Sequence, residues 1–599
     1  MIGVLYVNTL PTVPVDAFSL LVPILLALVS VTYIAFSKML GTHHSYPQGE
    51  QSLSKTCFDV LVNILDQQRK KIAISLSNYN TQPNKSRPPP IPMVSLRPGD
   101  RTHDKEYHEN QDKFLTRCLA EAGPVFKLSM HHLQIIVVSD EYIREMFLNE
   151  NFSNVDALNE LMGVKTFLHM LIKSGKNNDA RIQNSIILEH LTPNLGKYQA
   201  EMVGALESAL VKEFRLSTEK VYEKESQGGK ERLVMNPVAI FESMVGKSTS
   251  TVFMGAEVAN NPEVLETFVM SMHDFANVMG LNDLDLPFWR RWLNLKLNYF
   301  NNPLKRRVQI LAKAATPVIL ERRQREARLI NESADAPEFL KQRPHDILQK
   351  MLDRFDEYGF IDLEDICGHI MLLILTSVHT TIDASTAMVY YLAAYPETIP
   401  VLHREQVQVL DAIQQERQQE RSSRLEKGLE VNVDLLDPAH DRDLTSAALK
   451  RMIHLESFQR EVLRCRTEAL THFHMARKET LLSNGMVIPT YSMMLANLTS
   501  THANNSAAHG PNPGEFQPWR YVGTHKTMTK VGVDYLPFGM GKHVCPGRFM
   551  ASQQSKTLVS LIVSKFEKIA FHDPSQAAHV LRTQYGDVSK PALVFTSRE

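Results

Sequence analysis

The feature that most limits what this chain can fold into is a glycine-rich loop around a single cysteine near the C-terminal end. The loop reads Leu536-Pro-Phe-Gly-Met-Gly-Lys-His-Val-Cys-Pro-Gly-Arg-Phe-Met-Ala551. Its glycines permit tight turns and let the backbone approach a flat ligand closely. They are Gly539, Gly541 and Gly547. We therefore expect the loop to hold such a ligand, with the chemistry set by Cys545.

The residues that follow Cys545 indicate the start of a helix. Proline, here Pro546, is favoured in the first turn of a helix, and Arg548 to Phe566 alternate apolar and polar residues with helical periodicity. We expect Cys545 at the N-cap, where free N–H groups and the helix dipole stabilise a thiolate. A thiolate is the electron-donating axial ligand with which haem iron cleaves O–O bonds. The other interpretation, a buried structural cysteine, fits such a loop poorly.

The other cysteines indicate no second site of metal or redox chemistry. They are widely spaced, and no pair has the C-x-x-C spacing: Cys57, Cys118, Cys367 and Cys465. A disulfide framework or a structural zinc site is therefore not expected, and this usage is typical of a reducing compartment. The formal net charge of −1 gives no basic excess for nucleic acid.

The cysteine loop resembles the signature loop of the cytochrome P450 family. The matching residues are Phe538, Gly541, His543, Cys545 and Gly547. The resemblance implies that Cys545 is the proximal ligand of haem b and that Phe538 packs beside its sulfur. The arginine usual in the family two residues before the cysteine is His543 here, with Lys542 beside it. Either cation could meet a haem propionate.

Two further motifs resemble the family in order and spacing. Glu461-Val-Leu-Arg464 resembles its E-x-x-R helix, and Pro513-Gly-Glu-Phe-Gln-Pro-Trp-Arg-Tyr521 resembles its P-x-x-F-x-P-x-R-F segment. An acid and a base at i and i+3 mean little alone. The resemblance implies a buried ion-pair cluster of Glu461, Arg464 and Arg520 that holds the haem-side core. It also offers Arg477 as a propionate contact.

A long apolar segment around Cys367 to Leu392 is expected to be a central buried helix. Asp365 and Asp383 flank 17 residues without Asp, Glu, Lys or Arg. A second transmembrane span is the competing interpretation, but the interval is short and contains several polar residues. The burial of this helix inside the domain is therefore the prediction.

Within that helix, Thr376-Ser-Val-His-Thr-Thr381 resembles the oxygen-activation motif A/G-G-x-D/E-T-T of the family. The threonine is retained as Thr380, whereas the usual carboxylate is His379. Histidine can relay protons near neutral pH, but His379 could also only pack while water delivers the protons. Leu372, Thr376 and Thr380 share one helix face by i, i+4 spacing and are expected to line the substrate pocket.

The resemblance implies the cytochrome P450 fold, mainly α with small β-sheets, and haem between the central long helix and the cysteine loop and its helix. It extends from about Lys113 to the end of the chain. Short strands are expected around Val125 and Gln134, and a long helix from Lys305 to Ile330.

The resemblance also implies a monooxygenase that uses O₂ and two electrons. No G-x-G-x-x-G follows a strand, so NADPH-derived electrons are expected from a separate NADPH–cytochrome P450 reductase. A histidine before Thr-Thr is similar to fungal members of the gibberellin, indole-diterpene and meroterpenoid type. A lipophilic terpenoid or indole-terpenoid is the expected substrate. The alternatives are a haem-thiolate isomerase or dehydratase without a reductase, and a non-catalytic haem-binding protein.

The N-terminal part predicts a membrane anchor. Ala17–Ser37 is an uncharged stretch of 21 residues, long enough to span a bilayer. A cleaved signal peptide is the other interpretation, but no Lys or Arg precedes the stretch and its apolar run is long. Positive residues follow it, which predicts a single-pass protein of the endoplasmic reticulum with a cytosolic catalytic domain in contact with membrane lipid.

The expected organisation follows from these features. Residues 1–16 form a tail, 17–37 the transmembrane helix, 38–95 a linker with a proline-rich hinge, and 96–599 the catalytic domain. Residues 414–443 are expected to be a charged surface insertion. The aromatic and basic segment Pro287–Phe300 is predicted to pack on the core, with a position in the lipid headgroups as the alternative.

Overall fold

The structure is a computed structural model. It describes residues 89–130, 133–162, 171–173, 181–220, 231–279, 297, 302–332, 343–427, 443–577, 581 and 591–598. The tail, the predicted transmembrane helix, most of the linker and nearly all of Pro287–Phe300 lie outside these residues. The chain divides into two compact units, of which one comprises Ile91–Ala276, Asn302–Met475 and Met493–Glu599 and the other includes Ala476–Ser492.

Helices make up most of the described chain. The α-helices are α1 Asp104–Glu109, α2 Gln111–Ala122, α3 Glu141–Leu148, α4 Asn154–Met162, α5 Arg181–Ser185, α6 Leu195–Lys220, α7 Pro237–Met254, α8 Ala256–Ala259, α9 Pro262–Met279, α10 Pro303–Glu332, α11 Ile347–Asp353, α12 Phe355–Tyr358, α13 Leu363–Ala394, α14 Thr398–Glu426, α15 Ser446–Arg451, α16 Ile453–Arg466, α17 Ser506–His509 and α18 Arg548–Lys565. Two π-helical turns, Ile186–Leu191 and Thr499–Ala503, and two 3₁₀ turns, Thr192–Asn194 and Gly541–His543, complete the set.

The strands form small sheets. They are β1 Val125–Met130, β2 Leu133–Val138, β3 Phe152–Ser153, β4 Glu231–Val234, β5 Leu470–Ala476, β6 Thr480–Leu481, β7 Val487–Ile488, β8 Met493–Asn497, β9 Phe566–Phe571 and β10 Leu593–Ser597. One sheet has the order β1-β2-β8-β5-β3, another β4-β10-β9, and β6 pairs with β7. The β2–β8 pairing is parallel. The strands expected around Val125 and Gln134 are present as β1 and β2.

The centre of the larger unit is α13, which packs against α7, α10, α16 and α18. Asp362 caps it by accepting a hydrogen bond from the Asp365 N–H at 2.9 Å. Its most apolar window is hydrophobic enough to cross a membrane, yet 67% of that window is buried inside the protein. Because the surrounding helices cover its apolar side chains, α13 is a core helix, as the polar residues in the interval predicted.

Residues 91 and 94, which lie in the expected linker, pack against the domain. Ile91 and Val94 are buried, and the Val94 N–H donates to the Lys127 carbonyl of β1 at 3.2 Å. The end of the expected linker is therefore part of the packed domain, because its apolar residues find a strand edge to bind.

The charged segment expected at residues 414–443 is helical where the structure describes it. Gln414–Arg424 form the last turns of α14, and their side chains are exposed or half-buried. The bidentate pair between Arg451 and Glu416, with two N–O distances of 2.8 Å, lies on this surface. Glutamine, glutamate and arginine are good helix formers, so a solvated polar segment can extend a helix without a core to cover it.

Candidate functional site

A buried carboxylate organises the region around the cysteine loop. Glu461 on α16 is inaccessible to solvent and accepts from Arg464 at 2.7 Å and from Arg520 at 2.9 Å. The Gln517 N–H donates to the same carboxylate at 2.9 Å. The i, i+3 spacing places Glu461 and Arg464 on one helix face, and the structure brings Arg520 to them. Three charge-assisted contacts compensate for the loss of water around one carboxylate.

The two arginines use their remaining donors to hold the chain between α16 and the cysteine loop. Arg464 donates to the carbonyls of His502, Pro513 and Glu515. Arg520 donates to the carbonyls of His509, Pro511, Asn512 and Glu515. Since a guanidinium presents five N–H donors in fixed directions, this pair fixes the path of a segment that contains only two short helical turns and is otherwise irregular.

The cysteine loop is shaped by its own backbone hydrogen bonds. The Gly539 N–H donates to the Leu536 carbonyl at 2.9 Å, and the Cys545 N–H donates to the Phe538 carbonyl at 2.9 Å. Gly539 and Gly541 have φ angles of +66° and +65°, which L side chains rarely adopt. These two glycines are therefore required for the turns that present Cys545. The Phe538 side chain is half-buried in the same loop.

Cys545 lies before the helix and not at its N-cap, so this prediction was wrong. Gly547 is the N-cap residue and α18 begins at Arg548. Because the Cys545 N–H is bound to the Phe538 carbonyl, a Pro546-Gly547 turn separates the cysteine from the helix. The expected electrostatic effect remains, since the backbone N–H groups of Gly547 and Arg548 bind the thiol.

The pKa of the Cys545 thiol reflects two opposing influences. Burial is the larger and raises the pKa, while the backbone N–H groups of Gly547 and Arg548 and the charge of Arg548 lower it. The Arg548 side chain also donates to the Cys545 carbonyl at 2.9 Å. Once a metal ion binds the sulfur, these N–H groups and the Arg548 charge stabilise the thiolate form of Cys545.

A stripe of accessible side chains interrupts the buried surface of α13. Thr376, His379 and Thr380 are exposed and Leu372 is half-buried, whereas most of the helix on either side is buried. Leu372, Thr376 and Thr380 follow i, i+4 spacing and so share a face. Accessible side chains in the middle of a core helix mean that, among the described residues, no neighbouring element covers this face.

The hydroxyl groups of this stripe donate to their own helix. Thr380 Oγ1 donates to the carbonyls of Thr376 and Ser377 at 3.1 and 3.3 Å, and Thr376 Oγ1 donates to those of Leu372 and Leu373 at 3.0 and 3.1 Å. A hydroxyl bonded in this way still has acceptor lone pairs. The helix is continuous through Thr376 and Ser377.

A second anion-binding feature lies beside the cysteine loop. His474 is 1% exposed, and its Nε2 atom is a buried nitrogen without a hydrogen-bond partner in the described part of the chain. Its ring lies 6.5 Å from that of His543, and the charges of Lys542 and His543 act on it. Since His474 Nδ1 donates to the His472 carbonyl at 2.9 Å, Nε2 of the neutral ring is an acceptor and can donate to a carboxylate only when the ring is protonated. An anion bound at this corner would itself favour that protonated form.

The residues present therefore fit a haem. A half-buried thiol with two N–H donors can bind iron, and the glycines at positive φ form the tight turns of the loop. Lys542 and His543, with His474 once it is protonated, can bind a propionate. Arg477 follows β5, has an exposed side chain and belongs to the other compact unit. Sequence reasoning missed His474, because a histidine three residues before an arginine carries no signal until β5 turns it inward.

Comparison with known proteins agrees with this fit. A search of protein-family models matches the one described as cytochrome P450 over residues 87–578. Cytochrome P450 monooxygenase 151 of Postia placenta is 26% identical over 466 residues, covering 75% of this chain and 81% of that protein. Cytochrome P450 monooxygenase ntnM of Nectria sp. is 24% identical over 482 residues, covering 76% of this chain and 78% of that protein.

The fold comparison points to the same class. A retinoic acid-bound cyanobacterial CYP120A1 structure superimposes with a TM-score of 0.51 at 18% identity, covering 85% of this chain and all of that chain. The fold is mainly helical with small sheets, as in that solved structure. The chain belongs to the cytochrome P450 family, and its class is that of the P450 monooxygenases.

The ion-pair cluster predicts a large stability effect. Glu461→Gln leaves Arg464 and Arg520 buried without their counter-charge, which we expect to cost about 3–5 kcal/mol of unfolding free energy, measured by urea denaturation. The matched control is Glu416→Gln, which removes an exposed partner of Arg451 and should leave the midpoint unchanged. Equal midpoints for Glu461→Gln and wild type would show that the cluster does not stabilise the fold.

Buried histidines near the cluster predict acid sensitivity. Burial lowers the pKa of His474 and of His509 from 6.5 to about 4. The unfolded chain therefore binds protons that the folded chain does not, and stability falls as pH drops from 6.5 towards 4. We expect His509→Gln to flatten this fall by about 1 kcal/mol per pH unit, measured by urea denaturation between pH 7.5 and 4.5. The exposed His525 provides the control, and a curve unaltered by His509→Gln would contradict the linkage.

Proposed function

We propose that this protein is a membrane-anchored haem-thiolate monooxygenase that oxidises a lipophilic secondary metabolite of a fungal pathway, a terpenoid or indole-terpenoid intermediate. The observation that carries the proposal is the Cys545 loop, in which two N–H groups bind the sulfur. The loop would bind the iron, whereas the accessible stripe on α13 offers hydroxyl and imidazole groups for oxygen chemistry.

Haem b, when bound, supplies oxygen activation with electrons from NADPH, and the protein supplies position and protons. Cys545 would hold the iron. His543 and Lys542, with His474 when it is protonated, would orient the propionates, and Arg477 is the further propionate contact that the resemblance offers. The Glu461–Arg464–Arg520 cluster would hold the segment that leads to the cysteine loop in a fixed position.

His379 and Thr380 are proposed to manage protons on the oxygen side. The His379 side chain is exposed on the stripe and lies one residue before Thr380, so packing against the core does not account for it. Imidazole can take up and release a proton near neutral pH. The Thr380 hydroxyl can accept from water while it donates to its own helix.

The anchor and the partner follow from the same proposal. Ala17–Ser37 would hold the chain in the endoplasmic reticulum membrane with the catalytic domain in the cytosol. A substrate dissolved in the lipid would then reach the domain directly. NADPH–cytochrome P450 reductase would supply electrons. The apolar Leu372 and the polar Thr376 on the α13 stripe are the residues proposed to contact the substrate.

The ligand assignment predicts a spectroscopic loss. Cys545→Ser should lack the ferrous–carbonyl spectrum of a thiolate-ligated haem, because a hydroxyl is a far weaker donor to iron than a thiolate. Cys118→Ala, which removes a buried cysteine remote in sequence, is the control and should retain the spectrum. Turnover of a terpenoid panel should require NADPH and reductase. Turnover without them would indicate an isomerase or dehydratase, and binding without any product would indicate a carrier.

The proton role of His379 predicts a loss of coupling. His379→Gln keeps a polar side chain but cannot relay a proton, so product formed per NADPH consumed should fall by about tenfold or more. Substrate binding, read from the haem spectrum, should not change. Val407→Ala, at an exposed position on α14, is the control. If His379→Gln couples as well as wild type, water alone delivers the protons.

A further inference from the structure

Both backbone groups of one residue at the start of the cysteine loop are held by histidine side chains. Leu536 is fully buried. Its N–H donates to His502 Nε2 at 3.1 Å, and its carbonyl accepts from His472 Nε2 at 2.7 Å. The same carbonyl accepts from the Gly539 N–H, so Leu536 makes the first backbone hydrogen bond of the cysteine loop.

The two histidines must be in opposite tautomers. A carbonyl only accepts, so His472 carries its proton on Nε2. An N–H only donates, so Nε2 of His502 carries none, and the neutral ring of His502 carries its proton on Nδ1. That Nδ1 atom is buried without a hydrogen-bond partner in the described residues. We call the two side chains of His472 and His502 the Leu536 clamp. The clamp leaves one donor of His502 without a partner, and this places an acceptor against the Leu536 N–H.

Each histidine is itself positioned by an unusual backbone feature. His472 has a φ of +60°, and the pairing of β5 with β8 shifts between Thr471 and His474. This bulge turns the His472 ring towards the loop. His502 lies in a π-helical turn, and its carbonyl accepts from Arg464. The clamp thus connects the charged cluster on α16 to the cysteine loop.

We propose that His472 and His502 are positioning residues that fix the Leu536 peptide and, through it, the Cys545 sulfur. The path is short. Leu536 binds Gly539, and Phe538 binds the N–H of Cys545. A loop without the clamp can still form but samples more conformations, in which the sulfur leaves its ligating position. This inference rests on the proposed haem-thiolate function for one of its two readouts only.

The test compares His472→Phe and His502→Leu, which each remove one hydrogen bond, with His472→Gln and His502→Gln, which retain a donor or an acceptor. His509→Phe is the matched control, because His509 is a buried histidine of the same region that bonds Tyr521 and Thr501 but not the loop. Two quantities are measured in full-length protein. They are the rate at which the ferrous–carbonyl complex loses its thiolate spectrum, and hydrogen–deuterium exchange of the peptide covering residues 530–548.

We expect His472→Phe and His502→Leu to raise both rates about tenfold, the effect of one neutral hydrogen bond. The glutamine variants should remain within about threefold of wild type, and His509→Phe should match wild type in both. Wild-type rates for His472→Phe and His502→Leu, or equal acceleration in His509→Phe, would overturn the clamp. If wild type lacks the thiolate spectrum, the proposed function fails, while the exchange rates still decide the clamp.

Discussion

Glu461 has no contact with water, and the two arginines that it binds are almost as deeply buried. A charge in such a place is tolerated only while its partners remain, so the cluster commits α16 and the segment after β8 to one arrangement. The arginines then satisfy carbonyls along that segment. The segment that leads to the cysteine loop, which has only short helical turns, is therefore held in place by the arginine donors.

The region between the cluster and the loop depends on neutral imidazoles. His474 and His502 are buried, His472 is enclosed beside them, and burial lowers the pKa of each. A neutral ring offers one donor and one acceptor, which suits the isolated backbone groups of an irregular loop. His502 and His472 use this property on either side of Leu536. His474 donates from Nδ1 to the His472 carbonyl, which leaves its Nε2 as an acceptor without a partner in the described residues.

The central helix α13 combines a buried apolar surface with an accessible polar stripe. Its apolar residues form the core with four neighbouring helices, yet one stripe stays accessible. A rigid helix places Thr376, His379 and Thr380 at fixed intervals, so its polar groups are presented in a defined geometry. Core packing and oxygen chemistry are thus provided by two faces of the same helix.

The sequence by itself determined the family, the long helices, the loop that holds Cys545 and the identity of the charged triad. These are encoded locally, by helical periodicity, by glycines that alone permit positive φ, and by motif spacing along the chain.

Only the tertiary structure decided that α18 starts at Arg548, with a turn at Pro546 and Gly547 between the helix and Cys545. It also decided that His472, His474 and His502 converge on that loop. Their partners are far away in the sequence or are backbone atoms, and such contacts leave no pattern of residue types that can be recognised before the chain is folded.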